Sequence, residues 1–465
     1  MVKYLYIVLF FFGLNQTFAQ DKSLNIKLLD HWQNPNLPRI NGTQIWSDLT
    51  GYVDTINKRE YIIAGSTDSI YFFDITNPQN IVLCDVEDGK SKQMVNRDFE
   101  CFSKYVYCVS DNKQLGSLQV FDLSYLPDSV HKVYDSDTIT QNTHSIFIEA
   151  KSKRLYMCIN RTKYGVTNAM DVISLENPEI PIKIGSLNVP KFNGTSEAFR
   201  SVHEVYVRND TAWCSTEYTG LWVFDLRNLN KQALITVIAD YPENGYNHSS
   251  WLSPNGKYIM FTDEVPNGLA VKIFDVSNIY DPKLVSKFEA STNATAHNAF
   301  WVGDFAYVSY YHEGVVIFDL KNPFNPVQVG YYRTFPFPPA SYEGFNGCWG
   351  LYPWFPSGTI AASDMQEGIF TLKPSNELTS LPNTLDVPQV KIYPNPASSS
   401  FQITIGFEPS VKSIVNIYNS LGELILQKPI SQPTFETSIE NWSPGVYLVN
   451  IENGNQSIKK KLIKL

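Results

Sequence analysis

Four histidines occupy the same position in four successive, similar segments of the chain. The segments read THSIFIE around His144, VHEVYV around His203, NHSSWL around His248 and AHNAFW around His297. Neutral imidazole binds divalent cations, and it can also accept or donate a proton during catalysis. If the four segments are equivalent strands of a repeated fold, the four imidazoles lie on one rim of the molecule.

Acidic and polar residues end the strands that follow these segments, and antiparallel strands would return those residues to the same rim. Carboxylate oxygens and imidazole nitrogens together suit a divalent cation. The sequence therefore predicts a ligand site at this rim, formed by His144, His203, His248, His297, Glu217, Asp263, His312 and Asp364. If the site holds a metal, the predicted ligands are His203, His248 and His297.

The four histidines also have a structural interpretation. Each imidazole could form a hydrogen bond to the backbone of the neighbouring repeat and hold the repeats together. The sequence contains no HExxH pair, no glycine-rich phosphate loop, no GxSxG elbow and no Ca²⁺-loop motif. We therefore predict no cofactor, while a divalent cation at the rim stays an open alternative. Binding, catalysis and structure all stay open as roles of the histidines.

A second candidate site is the connection over residues 331–355, which is rich in aromatic residues and proline and too long for an ordinary turn. Long connections of this kind often carry function. Two interpretations stay open: the aromatic side chains stack on a sugar or peptide, or they pack on one another as a lid. The residues concerned are Tyr342, Trp349, Tyr352 and Trp354.

One phrase recurs along the chain and shows which elements must position these residues. It reads SIYFFDITNPQN, SLQVFDLSYLPD, GLWVFDLRNLNK, LAVKIFDVSNIYDP and GVVIFDLKNPFNP, with MDVISLENPEIP as a degenerate copy. The carboxylate that ends the strand is predicted to cap the following turn, which is a structural role. The marker residues are Asp74, Asp122, Ser174, Asp225, Asp275 and Asp319, spaced 48, 52, 51, 50 and 44 residues apart.

Each repeat contains four predicted antiparallel strands, and a period of 40–50 residues with four strands is typical of a β-propeller. We count seven units and predict an all-β chain whose residues 20–375 form a seven-bladed β-propeller with a central channel. The last unit has only three strands of its own. The segment SLNIKLLDHW, residues 23–32, is predicted to supply the fourth and close the ring.

The repeated phrase, with its Val-Phe-Asp-Leu and Asn-Pro elements, resembles the LVIVD-repeat propellers over residues 23–373. Some of these bacterial and archaeal proteins are grouped as choice-of-anchor families, because one propeller carries different sorting signals. The resemblance implies a seven-bladed propeller in a secreted or surface protein. It implies no established chemistry, and a fold alone does not supply a function.

The two ends of the chain carry export signals. Residues 1–19 have a positive start, a short apolar run and a small-residue end, which predicts a signal peptide. Near the C-terminus the blocks YPNP, LGE and PGVYLV alternate with predicted strands of a small β-sandwich. They resemble the type IX secretion sorting domain of Bacteroidetes over residues 387–465, after a linker at 376–386. The resemblance implies passage through the outer membrane and handling by the type IX secretion machinery.

Composition excludes several classes of protein. The formal charge of −9 disfavours nucleic acid as a partner, because phosphate contacts need a basic face. Aromatic residues make up 14% of the chain and charged residues 18%, which disfavours disorder and coiled coil. No later apolar run is long enough to predict a transmembrane segment. The six cysteines form no CxxC pair, and we predict buried thiols rather than a disulfide framework.

These observations favour a secreted or cell-surface propeller that acts as a non-enzymatic binding module. Its predicted ligand is a glycan, a peptide or a surface protein. Two alternatives stay open: a metal-dependent hydrolase or lyase with its site at the histidine-rich rim, and a purely structural surface component.

Overall fold

The computed structural model describes residues 22–111, 116–192, 194, 196–336, 341–375, 391–405, 413–430, 432, 434–453 and 456–465. The predicted signal peptide and the predicted linker lie outside the described residues. The chain divides into two compact units, with the boundary between residues 381 and 382. Within the described ranges, no helix is both long and apolar enough to cross a membrane.

Among the described residues of the N-terminal unit, seven antiparallel sheets follow one another along the chain. Two strands precede them, a short hairpin separates the third sheet from the fourth, and a 3₁₀ helix (Leu229–Lys231) lies within the fourth. The strands are β1 (Ser23–Leu24), β2 (Ile26–Trp32); β3 (Trp46–Asp54), β4 (Arg59–Ser66), β5 (Ser69–Asp74), β6 (Val82–Asp88); β7 (Asn96–Phe102), β8 (Tyr105–Asp111), β9 (Leu118–Asp122), β10 (His131–Ser136); β11 (Ser145–Glu149), β12 (Arg154–Arg161), β13 (Thr167–Ser174), β14 (Ile182–Ser186); the hairpin β15 (Lys191–Phe192) and β16 (Ser196–Glu197); β17 (Glu204–Arg208), β18 (Thr211–Ser215), β19 (Leu221–Asp225), β20 (Ala233–Ile238); β21 (Asn247–Leu252), β22 (Tyr258–Asp263), β23 (Val271–Asp275), β24 (Lys283–Phe288); β25 (Ala299–Val302), β26 (Phe305–Tyr310), β27 (Gly314–Asp319), β28 (Val327–Tyr332); and β29 (Cys348–Tyr352), β30 (Ile360–Asp364), β31 (Gly368–Pro374).

The first strand of each sheet lies at one sheet edge, and these inner strands line the axis of a ring. Each sheet contacts the next through its inner strand, from β3 and β7 round to β21 and β25. The sixth sheet contacts β29, and β29 contacts β3, so the ring closes. The prediction of an all-β propeller is confirmed.

The strand predicted to close the ring is present, with one refinement. β2 pairs antiparallel with β31, from Ile26 opposite Pro374 to Trp32 opposite Ile369, and it is the outermost strand of the seventh sheet. β1 pairs instead with β28 of the sixth sheet. Asn25 lies between the two strands with φ of 54°, a conformation that asparagine tolerates well. The N-terminal segment thus fastens two neighbouring sheets.

The six marker residues cap the turns that follow the third strands, as predicted. In every case a side-chain oxygen accepts a hydrogen bond from the backbone N–H two residues later, over 2.8–3.4 Å. The shortest are formed by Asp74, Asp275 and Asp319, and the longest by Ser174. A side chain that mimics a turn in this way fixes the loop before the outer strand.

Apolar side chains fill the space between neighbouring sheets. Between the first two sheets, for example, Tyr61 and Phe72 pack with Phe99 and Phe121. All six cysteines are free thiols. Four of them are buried in this packing and two are half-buried, which confirms that they do not form a disulfide framework.

The C-terminal unit is a separate β-sandwich, as predicted. Its two sheets have the strand orders β32-β33-β36 and β35-β34-β37-β38, and they share one apolar core that includes Phe401, Val415 and Val449. The strands are β32 (Lys391–Tyr393), β33 (Ser400–Thr404), β34 (Ile414–Tyr418), β35 (Leu424–Pro429), β36 (Thr434–Ser438), β37 (Gly445–Asn453) and β38 (Gln456–Lys464).

Candidate functional site

The structure brings the four histidines together at one end of the channel. His144 and His203 immediately precede β11 and β17, His248 is the second residue of β21, and His297 lies just before β25. Neighbouring rings are in contact, with centroid distances of 4.0 Å between the first two, 4.4 Å between the next two and 4.4 Å between the last two. We call this group the histidine arc.

The arc is held partly by backbone contacts between neighbouring sheets. The carbonyl of His144 accepts a hydrogen bond from Asn96 of the preceding sheet (2.7 Å), and the carbonyl of His203 accepts one from Ser145 (2.6 Å). The carbonyl of His297 accepts one from Ser249 (3.2 Å). The acceptor is a histidine carbonyl in all three hydrogen bonds, and in two of them the donor is the serine that directly follows the preceding histidine.

His144 and His203 lie in a continuous hydrogen-bond chain. His144 Nδ1 is 2.6 Å from Asp111 Oδ2, and its Nε2 is 2.9 Å from His203 Nε2. His203 Nδ1 is in turn 2.9 Å from the Tyr246 hydroxyl. Burial, with the nearby His144 and His297, lowers the pKa of His203 well below its usual value. Both nitrogens of His203 are therefore engaged, and its ring is neutral at physiological pH.

His248 and His297 differ from this pair because each has a nitrogen without a hydrogen-bond partner in the described part of the chain. His297 Nδ1 donates to the carbonyl of Trp349 (3.0 Å), which leaves Nε2 as the free nitrogen. His248 is 2% exposed, and its buried Nδ1 has no hydrogen-bond partner. Burial lowers the pKa of His297 to about 3 and that of His248 well below its usual value.

The arc separates two cavities along the channel. The outer cavity has a volume of about 410 Å³ and is lined by all four histidines together with Glu264. The inner cavity has a volume of about 300 Å³, and two of the histidines also line it. Neither Lys nor Arg is among the described residues that line the two cavities, so the channel is acidic.

Carboxyl groups from three inner strands line the inner cavity. They belong to Asp48 on β3, Asp98 and Glu100 on β7, and Glu204 on β17. Burial raises the pKa of Asp48, Glu100 and Glu204 well above the usual range, and neighbouring Asp98 raises each of them further. These carboxyl groups therefore hold protons that an entering cation would displace.

Asp48 and Asp98 form a hydrogen-bonded pair that shares a proton. Asp98 accepts backbone hydrogen bonds from Phe99 (2.7 Å) and Ile146 (2.6 Å), whereas Asp48 accepts one from Leu49 (2.8 Å). Burial raises the pKa of both groups. Because Asp98 has more donors, it is the better site for the negative charge, and Asp48 carries the shared proton.

Aromatic side chains surround the inner cavity beyond the carboxyl groups. Four of them lie on the successive inner strands β11, β17, β21 and β25, and the fifth, Trp354, lies two residues after the end of β29. The centroids of the rings in contact are 4.6–6.3 Å apart. We call them the aromatic girdle: Phe147, Tyr206, Trp251, Phe300 and Trp354. All but Tyr206 are half-buried and so retain surface for a ligand.

Sequence reasoning missed most of this girdle, although the chain contains a signal for it. Each histidine of the arc is followed three residues later by an aromatic residue, in HSIF, HEVY, HSSW and HNAF. All four carboxyl groups were also missed, and Glu204 directly follows one of the predicted histidines. Asp48, Asp98 and Glu100 lie in the first two sheets, where no histidine marks the inner strand.

Four predicted site residues do not line either cavity. Asp263 forms an ion pair with Lys272 (2.6 Å) in which both side chains are fully buried, and it accepts a hydrogen bond from Tyr241 (3.0 Å). Asp364 accepts hydrogen bonds from Thr334 (2.7 Å) and from two backbone N–H groups of its own turn. Burial raises the pKa of Asp364 to about 6. Both carboxyl groups are satisfied within the sheets.

The other two are Glu217 and His312. Glu217 accepts hydrogen bonds from Ser201 and from the Tyr246 hydroxyl. His312 is buried against Phe335 and Tyr342, with centroid distances of 5.5 Å to each ring. Antiparallel strands return these four residues to the correct end of the sheets, but their partners hold them beside the channel.

Three of the four predicted aromatic-connection residues line the inner cavity: Trp349, Tyr352 and Trp354. Trp349 and Tyr352 do so because they lie on β29, the inner strand of the seventh sheet, and Trp354 lies two residues after that strand ends. Tyr342 lies elsewhere, where its hydroxyl donates to Glu313 and its ring packs on His312. In the described part of the connection, these three residues are therefore channel wall.

Residues 391–465 match the family described as the secretion system C-terminal sorting domain. No curated protein matches the chain.

Two solved structures with low sequence identity are similar. One is PorZ, an essential bacterial surface component of the type-IX secretion system of Porphyromonas gingivalis, with 11% identity and a TM-score of 0.47; the match covers 88% of this chain and 58% of that one. The other is the β-propeller domain of Cps50 (Swd1) from Myceliophteria thermophila, with 12% identity and a TM-score of 0.49, covering 72% and 97%. This chain thus spans less than two thirds of the PorZ chain.

The C-terminal match and the separate β-sandwich agree on the same residues. This unit is a secretion-system sorting domain, which the type IX machinery handles. The protein is therefore a β-propeller that is exported to the cell surface or the extracellular space.

Proposed function

We propose that this exported propeller is a non-enzymatic binding module whose ligand enters the inner cavity, and that the ligand is an alkylammonium group. The observation that carries the proposal is the composition of the cavity wall. Five aromatic rings and four carboxyl groups surround one space of about 300 Å³ that no Lys or Arg lines among the described residues. Aromatic faces attract cations and also pack against alkyl stems.

The aromatic girdle and the carboxyl groups would each bind a different part of the ligand. The girdle rings, with Trp251 at their centre, would cover the apolar stem of the ligand. The Asp48–Asp98 pair would receive the ammonium group and give up its shared proton. A lysine side chain of a peptide or surface protein has this chemistry, and so does a free polyamine.

Two finer assignments belong to the same proposal. The repeated phrase and its six capped turns favour membership of the propeller in the LVIVD-repeat group. The domain boundaries that we propose are a signal peptide at 1–19, the propeller at 20–375, a linker at 376–386 and the sorting domain at 387–465. The hydrolase or lyase alternative stays a prediction, and turnover of any bound compound would favour it.

Isothermal titration of the purified protein tests the proposal. The probe is Nα-acetyl-lysine amide, and the matched neutral control is its Nε-acetylated form, which has the same stem and no charge. Cadaverine serves as the free-amine arm. We expect both amines to bind, the neutral control to fail, and Trp251→Ala to weaken binding about tenfold or more, as removal of a stacking ring does.

Tyr280→Ala is the control variant, because Tyr280 is an aromatic residue that is 76% exposed and far from the cavity lining. Tighter binding of cadaverine than of the lysine probe would assign a polyamine rather than a peptide. Absence of binding by both amines, or equal binding of the neutral control, would contradict the proposal.

A further inference from the structure

Glu204, His248 and His297 place one possible ligand atom each within 4.8 Å of the others. The group lies where the histidine arc meets the inner cavity, and it includes one residue, Glu204, that the sequence did not single out as a ligand. Two imidazoles and one carboxylate form a donor set that suits first-row divalent metal ions.

The unpartnered nitrogen of His248 is the first observation that points to a bound ion. His248 Nδ1 is buried without a hydrogen-bond partner, and Glu204 Oε1 lies 3.7 Å from it. That distance is too long for a hydrogen bond. Two ligands at usual Zn²⁺ bond lengths and a tetrahedral angle lie about 3.4 Å apart, so the observed spacing is close to that of a shared metal.

The outer hydrogen bond of the His297 imidazole is a second, independent observation. Metal-binding histidines usually direct the nitrogen that does not bind the metal to a carbonyl or a carboxylate. His297 Nδ1 donates to the Trp349 carbonyl (3.0 Å) and leaves Nε2 for a metal. His248 Nε2 faces the Glu264 carboxylate at 3.9 Å, which is beyond hydrogen-bond distance, and that carboxylate accepts a hydrogen bond from the Tyr311 hydroxyl (2.6 Å).

His203 lacks these properties, although it lies between His144 and His248 in the arc. Both of its nitrogens are already within 2.9 Å of a partner, in the chain from Asp111 to Tyr246. It would have to break that chain to bind a metal. Glu204, the next residue in the sequence after His203, completes the donor set instead.

We propose that Glu204, His248 and His297 form a site for a first-row divalent metal ion such as Zn²⁺, with its remaining coordination position open to the channel. The site goes beyond the alkylammonium proposal and does not depend on it, since it uses neither the aromatic girdle nor the Asp48–Asp98 pair.

Titration of the metal-free protein with Zn²⁺ alone tests the site. We expect one ion per chain in the wild-type protein, and at least a tenfold loss of affinity in Glu204→Gln and in His248→Ala. His131→Ala and Glu217→Gln are the matched controls, because His131 is exposed on β10 and Glu217 lies outside the metal group. Both controls should bind Zn²⁺ as the wild type does.

A second measurement keeps the test valid if a variant folds poorly. Co²⁺ added to the wild-type protein should give the visible absorption of a nitrogen- and oxygen-ligated ion, and Zn²⁺ should abolish that absorption. Absence of stoichiometric Zn²⁺ binding, unchanged affinity in both site variants, or binding of Ca²⁺ in preference to Zn²⁺ would overturn the proposal. Trp251→Ala should bind Zn²⁺ normally, so failure here and failure of the alkylammonium proposal are distinguishable.

Discussion

The repeated aspartates at the outer turns and the repeated histidines at the channel are both encoded by the repeat, yet their surroundings differ. Each outer carboxylate accepts a hydrogen bond from its own turn, two residues away. At the channel, His248 Nδ1, Asn298 Oδ1 and Ser250 Oγ are buried without hydrogen-bond partners among the described residues. The recurrence of a residue type in the repeats therefore does not distinguish a structural from a functional residue. The hydrogen bonds of its polar atoms do distinguish the two cases here.

The buried pair of Lys272 and Asp263 gives the largest expected effect. Asp263 was predicted to belong to the site, but its ion pair places it with the satisfied, structural residues. Lys272→Ala leaves a buried carboxylate without its counter-charge, so we expect a loss of about 3–5 kcal/mol in the free energy of unfolding.

Urea denaturation measures this loss, and the double variant Lys272→Met with Asp263→Leu is the control, since removing both charges together costs far less. A loss below about 1 kcal/mol in the free energy of unfolding of Lys272→Ala would show that this ion pair does not stabilise the fold.

The four histidines allow the same comparison within the arc. His203→Ala removes the partner of His144 Nε2 and one of the partners of the Tyr246 hydroxyl, and we expect it to destabilise the fold by about 1–3 kcal/mol. His248→Ala removes a side chain whose Nδ1 forms no hydrogen bond, so its cost in stability should be smaller. Thermal unfolding of the two metal-free variants side by side decides the matter, and a larger loss for His248→Ala would refute this division.

Asp275→Ala removes one of the outer caps. We expect a loss of about 1 kcal/mol, the usual contribution of one hydrogen bond, and no change in the affinity for Zn²⁺ or for the lysine probe. Asp275→Asn keeps a side-chain oxygen acceptor and should be nearly neutral. A change in ligand affinity upon Asp275→Ala would mean that the outer turn and the channel are coupled.

The last expected effect concerns pH. Burial and Asp98 raise the pKa of Asp48 in the free protein, and a bound ammonium group would lower it, so binding releases a proton. Affinity for the lysine probe should therefore increase as pH rises through the raised pKa of Asp48, by at most about tenfold per pH unit. The probe itself stays charged up to about pH 10.

Titrations at several pH values test this expectation. Asp48→Asn should flatten the profile, whereas Glu217→Gln should leave it unchanged. Glu100, Glu204 and His144 also face the pair, so a profile that persists in Asp48→Asn would assign the proton to one of them.

Much of the fold was predictable because it depends on local patterns that repeat. The strand phrase, the capping aspartates and the closing strand after residue 22 are all readable in the sequence, and so is the placement of the histidines on one rim. The hydrogen-bond partners of each histidine were not predictable, because they come from distant segments of the chain. Asp111 engages His144 and Tyr246 engages His203 across different sheets.

Local irregularities also limited the prediction of the channel wall. The pairing of β21 with β22 shifts between Asn247 and Ser250, and that of β29 with β30 shifts between Cys348 and Gly350. A bulge of this kind changes which residues face the axis, so simple alternation miscounts them.

The pairing of β2 with β31 has a consequence for how the polypeptide matures. Ile26 is opposite Pro374, so β2 cannot pair with β31 until the whole propeller has been synthesised. Contacts across so much sequence form slowly, and unpaired edges are exposed in the meantime. An N-terminal fusion or protease cut that disturbs residues 23–32 would leave the molecule unfinished, and such species would be prone to aggregate before they reach the cell surface.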